Sequence, residues 1–597
     1  MRLLFLQLPR LDPDVTAPGE NLMPAAACLQ AALERSPEGP HWEVLGPPTG
    51  QDTAPDAALL REIATLRPDA VSFTCYLWNI ERTLHLARQI KRRLPPVRIV
   101  MGGPEIAAGH PLLPPFTSSG GPATPGVCKL FPADSLVVGE GEPVFPKILA
   151  FFRTGRAPDL RGVFWRRDQT AGFAAGTRPR PSAQLRRLLP APDHPANRPD
   201  ASGMAYLETH RGCPMRCAFC CYNLRRTVTT CLPPEDVAAR LRVLRARGAR
   251  EIRLVDPTFN AHPRFDEILA IMAAENRDRA IAFFVEIRAD TLTENQAARL
   301  AAAGVAEAEV GIQSTDPAVL KILRRPLRPE RMRHGIDLLL RHGIRPTLDF
   351  MYALPRQDAA DIRRSLDWLA RYGDAIHPQF LPTLLLPGTE LRDRAAELGL
   401  RAQRLPPYRV RKTDVLSARQ LAAVEVQALE RLGGFDSPTR RFVGARLPDL
   451  FPDRIRYPLR TPPRGVHNAG TPLTSGRLGE ASLPSASSNR QALILSGPDL
   501  YSCRETLAAL IRERVRAEPH ILWQFVLCPE NEEPLDLLDF LIGTLASLPP
   551  HWLDRLVSPP GRRRLCARRL FVRLPRGRRF DPEWVNAAEA LLASRFH

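Results

Sequence analysis

The sequence predicts an α/β protein of several domains: an N-terminal doubly wound parallel sheet, a partial barrel of six βα units, and a small C-terminal module of α/β or α type. Three observations carry that expectation. Apolar runs of strand length alternate with helical patterns up to about residue 155, and again from Ala205 to about residue 400. Stretches rich in Pro, Arg, Gly or Ser interrupt the alternation at about 156–203 and 463–490. The length of 597 residues, at about 150 per domain, leaves room for several buried cores.

Taken in order, MRLLFLQLP reads as a buried strand, PAAACLQAALER as a helix, DAVSFTCY as a strand, IERTLHLARQIKRRL as a helix and VRIVMGG as a third strand. DSLVVGEGEP follows the loop TSSGGPATPG as a fourth strand, and the helix FPKILAFFRTG closes a Rossmann-like domain over residues 1–155. Residues 156–203, with TRPRPSAQLRRLLPAPDHPANRPD, read as a linker. AYLETH, EIRLVD, IAFFVEI, EAEVGIQS, RPTLDFMYAL and PQFLPTLLLPG then supply six strands of a TIM-like partial barrel over 204–400, with helices such as PPEDVAARLRVLRARG between them. Residues 401–462 are expected to belong to the barrel, 463–490 to form a flexible linker, and 491–597 to form a separate small domain.

Composition limits the alternatives. Hydrophobic residues make up 44% and charged residues 25%, an ordinary soluble balance, while 61 prolines against 37 glycines suggest rigid connections. The opening MRLLFLQLPRLD is too short for a signal sequence and is broken by Pro9; LDLLDFLIGTLASL carries Asp536 and Asp539 and falls short of a membrane span. A cytoplasmic location is therefore expected, where thiols stay reduced. The net charge of +19 peaks in GRRRLCARRLFVRLPRGRR, residues 561–579, which in an arginine-biased chain reads as a solvated face rather than a nucleic-acid site.

Against eleven cysteines in the whole chain, RGCPMRCAFCCYN (211–223) puts four within nine positions. Cys213, Cys217 and Cys220 would line one face of a helix, but Gly212 and Pro214 just after a strand favour a loop that lets three sulfurs converge. Structural zinc takes four ligands, and no second CxxC pair or paired histidines stands at a suitable spacing. A cubane iron–sulfur cluster held by three thiolates leaves one iron open to a small-molecule ligand. The stretch CPMRCAFC, with aromatic Phe219 before its last cysteine, resembles the radical S-adenosylmethionine superfamily, and the preceding strand and six βα units agree with it. The resemblance implies a [4Fe–4S] cluster whose open iron binds the amino and carboxylate groups of S-adenosylmethionine, and reductive cleavage to a 5′-deoxyadenosyl radical. Cys221 breaks the spacing and reads as a neighbour.

VDPTFN, VEIRAD, VGIQS and LLLPGTEL stand at strand ends, where barrel active sites gather. By the same resemblance Glu286, Arg288 and Gln313 would contact the ribose, carboxylate or methionine part of S-adenosylmethionine and Phe219 its adenine; strand-end capping or ion pairing is the competing reading of each. Tyr352, Asp349, Glu309 and His262 are candidate general bases. One element departs from the family: its glycine-containing fifth-strand turn is YALPRQD here, with Ala353 and Arg356 in place of glycines.

In the N-terminal domain SFTCYLWN, MGGPEIA and VVGEGEP resemble the cobalamin-binding domain fused to many radical S-adenosylmethionine enzymes. That resemblance implies cobalamin contacts at Ser72, Thr74, Tyr76, Trp78, Asn79, Gly102, Gly103, Gly139, Glu140 and Gly141. No GxGxxG follows the first strand, as a dinucleotide site would need. No DxHxxG loop is present, and His41, His85 and His110 lack its context, so the lower axial position of cobalt is expected not to carry histidine. Together the resemblances imply a methyltransferase acting on an unactivated carbon of a secondary metabolite or peptide, supplied with electrons by a donor such as flavodoxin or ferredoxin. Cyclisation or rearrangement without methyl transfer is the nearest alternative. An RNA-modifying methylthiotransferase, with Cys28, Cys75 and Cys128 as a second cluster site, comes from a different class, as does a light- or cobalamin-sensing regulator.

Overall fold

A computed structural model describes residues 1–11, 21–107, 110–113, 131–156, 160–166, 173–174, 184–222, 229–432, 441–448, 450–459, 486, 488–557 and 566–596. The chain divides into two compact units, one of residues 1–9, 19–47 and 66–435, the other of residues 10–18, 48–65 and 436–597.

The first unit begins with β1 (Arg2–Leu6), α1 (Pro24–Glu34) and β2 (Glu43–Leu45); after α2 (Asp56–Leu66), whose residues up to Thr65 belong to the second unit, it resumes with β3 (Ala70–Thr74), α3 (Ile80–Arg93), β4 (Arg98–Gly102), β5 (Ser135–Val137), α4 (Phe145–Thr154), β6 (Val163–Arg166) and β7 (Phe173–Ala174). The sheet order is β2-β1-β3-β4-β5-β6-β7; the first five strands are parallel and the last two antiparallel. Every residue of β3 is buried, as a central strand covered on both faces requires. The strand order reverses between β1 and β3, and an open α/β sheet binds ligands at the carboxyl ends beside such a reversal. The sheet runs past the boundary expected at residue 155, because β6 pairs antiparallel along β5 within the stretch read as linker. The three residues of β2 and the four of β6 are too few to show a period.

The barrel starts with β8 (Met204–Leu207), followed by a small hairpin of β9 (His210–Arg211) and β10 (Thr230–Cys231). Then come α5 (Pro234–Ala246), β11 (Glu251–Leu254), α6 (Phe265–Glu275), β12 (Ala282–Ile287), α7 (Glu294–Ala303), β13 (Val305–Gln313), α8 (Pro317–Ile322), α9 (Pro329–Arg341), β14 (Arg345–Tyr352), α10 (Ala359–Ala370) and β15 (His377–Pro382). The order β8-β11-β12-β13-β14-β15 is sequential and all parallel, the open six-stranded barrel expected. Strand alternation sorts its residues: Ala205, Ile252, Val285, Val310 and Leu348 join one apolar core with α5, α6, α7 and α9. Their neighbours Tyr206, Arg253, Glu286, Glu309 and Asp349 consequently point to the other face, the barrel interior. Capping boxes at Thr293 with Gln296 and at Asp358 with Asp361 start α7 and α10 at fixed residues. Beyond the barrel, α11 (Glu390–Asp393), the hairpin of β16 (Arg401–Ala402) and β17 (Val410–Lys412), and α12 (Ala418–Arg431) pack on a second core with Tyr352, Leu354, Ile362 and Leu366.

The second unit is itself a parallel α/β domain. It contains β18 (Val443–Gly444), β19 (Asp453–Pro458), β20 (Arg490–Gly497), α13 (Arg504–Ala517), β21 (Leu522–Pro529), α14 (Leu535–Ser547), α15 (Trp552–Val557), β22 (Arg568–Arg573) and α16 (Pro582–Phe596), with sheet order β18-β22-β21-β20-β19. It starts earlier than the expected residue 491, because β18 and β19, assigned from sequence to the barrel extension, are its two edge strands. It also recruits residues 48–65: the Glu518 carboxylate accepts the N–H groups of Asp56 and Ala57 at the start of α2, both at 3.0 Å. Most of the linker expected over 463–490 lies outside the described residues. Among the described residues no helix is long and apolar enough to cross a membrane.

Candidate active site

The cysteine loop leaves the barrel at the carboxyl end of β8. In parallel register Leu207 faces Leu254, so two residues further Asp256 stands beside Thr209. The fully buried Asp256 carboxylate accepts the N–H of Thr209 (2.8 Å), the N–H of His210 (3.1 Å) and the Thr209 hydroxyl. It takes the donors that β8 would otherwise offer to a longer β11, and so sets the direction in which the chain enters Gly212. Gly212 has φ 105°, a left-handed conformation that glycine adopts freely, and Cys213 follows. The same VDPTFN segment places Thr258 Oγ1 3.6 Å from Cys213 Sγ, and the Asn260 side chain bonds both the N–H and the carbonyl of Arg288, each at 2.9 Å.

Cys213 and Cys217 are buried, Cys220 half-buried, and the three thiols lie within electrostatic reach of one another. Burial pushes the Cys220 thiol up to about 12, so in the unliganded protein it holds its proton. Arg325 Nη1 donates to Cys217 Sγ at 3.6 Å while Nε donates to the Gly311 carbonyl at 3.0 Å. Among the described residues no three His, Cys, Asp or Glu side chains have the spacing of a single-ion site. A cubane takes its thiolates at separate corners, further apart than ligands to one ion, and three neighbouring thiols on one loop, two of them buried, fit that donor set.

The barrel interior below the loop is acidic. Glu286 stands opposite Glu309 across β12 and β13, and Asp349 opposite Gly311 across β13 and β14. Burial, with Glu309 and Asp256 nearby, raises the Glu286 carboxyl from 4.5 to about 7. Burial and the charge and hydrogen bond of Glu309 raise Asp349 well above the carboxylate range. Like charges this close cannot all ionise, so the group keeps protons at neutral pH. Of the other base candidates, Tyr352 is bonded to Glu425 and Arg409, and burial lowers His262 to about 4.

The remaining residues singled out in the barrel are distributed as follows. Arg288 holds Asp290 through Nε (2.9 Å) and Nη2 (2.5 Å), and its Nη1 meets Met215 Sδ at 3.3 Å, bracing the cysteine loop. Gln313 occupies the bulge at the end of β13 with φ 71°, and its amide lies with the Arg325 guanidinium over Gly311. Phe219 packs at the margin of the second core. In YALPRQD the glycines are absent but their backbone is not: Ala353 has φ 61° and Arg356 φ 60°. The turn is retained at a steric cost of about 1–2 kcal/mol per residue.

In the N-terminal sheet the residues named from sequence come together on the carboxyl edge of β3, β4 and β5, beside the reversal of strand order. Ser72 and Thr74 are buried within β3, and Thr74 is paired with Gly102. Gly103 has φ 106°, and a Cβ there would come within 2.6 Å of the Cys75 carbonyl oxygen; at Gly141 it would meet Leu29 at 2.9 Å. At Gly103 the glycine lets the loop after β4 pack backbone against the Cys75 backbone after β3. Tyr76 and Trp78 stack with ring centroids 4.5 Å apart. The Asn79 side chain is spent on the loop itself, accepting from Tyr76 N–H and donating to the Leu8 and Thr74 carbonyls. His110 is fully buried with Glu105 and Tyr408, 2.8 and 2.6 Å from its Nε2. Cys28 and Cys75 are separate buried thiols, and Cys128 lies outside the described residues.

Two arginines that no sequence pattern marked connect these parts. Arg325 has been described. Arg211, two residues before Cys213, clamps Glu208 through Nε and Nη2 (2.6 and 2.9 Å) and reaches Glu142 (2.8 Å) and Glu140 (3.7 Å) in the loop after β5. Tyr222, just after the cysteines, lies within electrostatic reach of Glu286, Cys220 and Tyr76. The edge of the N-terminal sheet and the mouth of the barrel are therefore joined directly by Arg211 and lie close together at Tyr222.

The comparisons agree on both halves. The family model of the radical SAM superfamily matches residues 207–369, and that of the B12 binding domain matches residues 16–113. Over 223 residues the chain is 28% identical to 2-(S-pantetheinyl)-carbapenam-3-carboxylate methyltransferase of Streptantibioticus cattleyicolor, covering 34% of this chain and 30% of that protein. Over 357 residues it is 25% identical to the cobalamin-dependent radical SAM methyltransferase TokK of Streptomyces tokunonensis, covering 56% of this chain and 50% of that one. The chain thus spans half or less of the length of these curated relatives. The structure of the radical S-adenosylmethionine methyltransferase TsrM from Kitasatospora setae superposes with a TM-score of 0.53 at 18% identity, over 70% of this chain and 80% of that one, a likeness of fold.

Proposed function

We propose that this chain is a cobalamin-binding radical S-adenosylmethionine enzyme that methylates an unactivated carbon of a small-molecule or peptide substrate. A [4Fe–4S] cluster, S-adenosylmethionine and cobalamin are the cofactors of a chain with these two domains; when bound they supply one-electron cleavage of a sulfonium and a transferable methyl group. The observation that carries the reading is Arg211. It ties the strand entering the cysteine loop to Glu140 and Glu142 after β5, and so joins the two elements that would carry the cluster and the corrin.

The residues of this chain would divide the work. Cys213, Cys217 and Cys220 would each ligate an iron, with Arg325 donating to the Cys217 sulfur and Asp256 fixing the loop. Glu286, half protonated near neutral pH, can donate to or accept from a bound cofactor or substrate across the barrel interior. Gln313 and Phe219 would border S-adenosylmethionine, while Arg288 serves mainly to brace Met215. Tyr76 and Trp78 would offer an aromatic face beneath the corrin, and Gly103, Gly139 and Gly141 would let it approach the backbone. His110 is held by Glu105 and Tyr408 in the buried interior. The names of the two curated relatives support methyl transfer, and free thiols at every described cysteine support a reducing cytoplasmic setting.

The test is anaerobic turnover with reductant, S-adenosylmethionine and a candidate substrate. Formation of 5′-deoxyadenosine and S-adenosylhomocysteine, with a product heavier by one methyl group, is expected. A product of unchanged mass would replace methylation with cyclisation or rearrangement.

A further inference from the structure

A cavity of about 590 Å³ opens at the barrel rim between the loop after β12 and the segment joining α8 to α9. Sites for small organic ligands span roughly 300–1,000 Å³. Six cations line this one, Arg288, Lys321, Arg324, Arg325, Arg328 and Arg331, against a single acid, Asp290. Asp290 is held by Arg288, and Glu390, outside the lining, offsets Arg324. Lys321, Arg328 and Arg331 are exposed and form no ion pair among the described residues. The helix α9 starts at this wall with no side-chain cap, so the positive end of its dipole adds to the same field. Pro317, Leu320 and Leu327 supply the apolar part of the lining.

The cavity is an annex of the site described above. Arg325 lines it and also donates to the Gly311 carbonyl and to Cys217 Sγ, beside the Gln313 amide. Arg288 lines it and also reaches Met215 in the cysteine loop. Past Gly311 the barrel interior turns acidic, with Asp349 opposite that residue and Glu309 and Glu286 beyond. An anionic group is therefore drawn to the rim and repelled by the interior, which fixes the end of a ligand that points inward. The inner arginines are already engaged, Arg288 with Asp290 and Arg325 with backbone, while Lys321, Arg328 and Arg331 are free to take a ligand. A lone carboxylate is met by one guanidinium fork. Three free cations call for a group with several charged oxygens, which a phosphate supplies.

Resting on the function proposed above, we infer that this cavity holds the phosphate or diphosphate group of an organic substrate, gripped by Lys321, Arg328 and Arg331, with the uncharged part of the substrate directed past Arg325 toward the cluster. The carbon that is methylated then lies on the end of the substrate remote from its phosphate, and no bond to phosphorus forms or breaks. The substrate class narrows accordingly to phosphorylated metabolites.

The test uses the holoenzyme with S-adenosylmethionine bound and inorganic pyrophosphate as probe, comparing the wild type with K321A/R328A/R331A. Titration calorimetry at physiological ionic strength should show one pyrophosphate per wild-type chain and at least tenfold weaker binding in the variant, with iron content and affinity for S-adenosylmethionine equal in the two. Pyrophosphate should also shift the electron paramagnetic resonance spectrum of the reduced wild-type cluster, because Arg325 spans the cavity and Cys217, and should leave that of the variant unchanged. Equal pyrophosphate affinity in the two proteins, or no saturable binding in the wild type, would overturn the inference. Binding that leaves the wild-type cluster spectrum unchanged would also overturn it, as an adventitious ion only. Weakened S-adenosylmethionine binding in the variant would overturn it by assigning the cavity to the carboxylate of that cofactor. Failure of the dithionite-reduced wild type to cleave S-adenosylmethionine would instead refute the proposed function.

Discussion

Asp256→Ala offers the sharpest test of how the barrel holds the cysteine loop. The carboxylate is fully buried and accepts two backbone N–H groups and one hydroxyl. The Thr209 hydroxyl can turn to another acceptor; the N–H groups of Thr209 and His210 cannot. Two buried donors left unsatisfied at about 1–3 kcal/mol each give roughly 2–6 kcal/mol, a large part of the 5–15 kcal/mol typical of a domain. Because the damage lies three to four residues before Cys213, it falls on cluster assembly as well as on stability. The expected result is a lower urea midpoint for the apoprotein and less than half the wild-type iron after anaerobic reconstitution. Asp256→Asn keeps an acceptor oxygen for both N–H groups and should recover most of the iron at a cost of about 1 kcal/mol. An alanine variant with wild-type iron content and midpoint would refute the reasoning.

Three further outcomes are expected. Glu286 carries a carboxyl raised from 4.5 to about 7, so the folded apoprotein binds a proton that the unfolded chain releases. Its contribution is complete below about pH 4.5 and is lost as pH rises to about 7; Glu286→Gln should match the wild type in urea midpoint at pH 4 and exceed it at pH 8 by up to about 3 kcal/mol, whereas parallel pH profiles would contradict the burial argument. Arg356→Gly relieves a left-handed backbone at an exposed position and should stabilise by about 1 kcal/mol in urea unfolding, and a loss of stability would show that the arginine side chain matters more than the strain. Gly103→Ala forces a Cβ against the Cys75 backbone and should strip corrin, read from the absorbance of the purified protein, with iron content unchanged; full corrin occupancy would remove that glycine from the site.

Much of the architecture was legible because it repeats. Six barrel strands of four to nine residues, each followed by a helical pattern, show their period openly, and the cysteine trio is visible from spacing alone. Elements of three or four residues such as β2 and β6 have no period to read, and β18 and β19 joined the C-terminal sheet through partners distant in sequence, Val443 with Val572 for β18, and across the Gly/Pro/Ser-rich stretch for β19. The strand-end motifs VDPTFN and VEIRAD pointed to the right edge of the barrel but not to their joint task, since the Asn260–Arg288 bonds exist only after both loops fold. Arg211 and Arg325 were invisible among 83 lysines and arginines: what distinguishes them is the carboxylates and the sulfur they meet. YALPRQD shows the opposite case, where the letters changed and the backbone did not.

The central claim is that one loop of three thiols holds a single cluster beside a bound corrin. Iron, sulfide and cobalt should therefore be quantified in anaerobically reconstituted wild type and in C213A/C217A/C220A. About four irons, four sulfides and one cobalt per wild-type chain are expected, with the iron lost and the cobalt kept in the variant. About eight irons and no cobalt in the wild type, or iron retained in the variant, would contradict it.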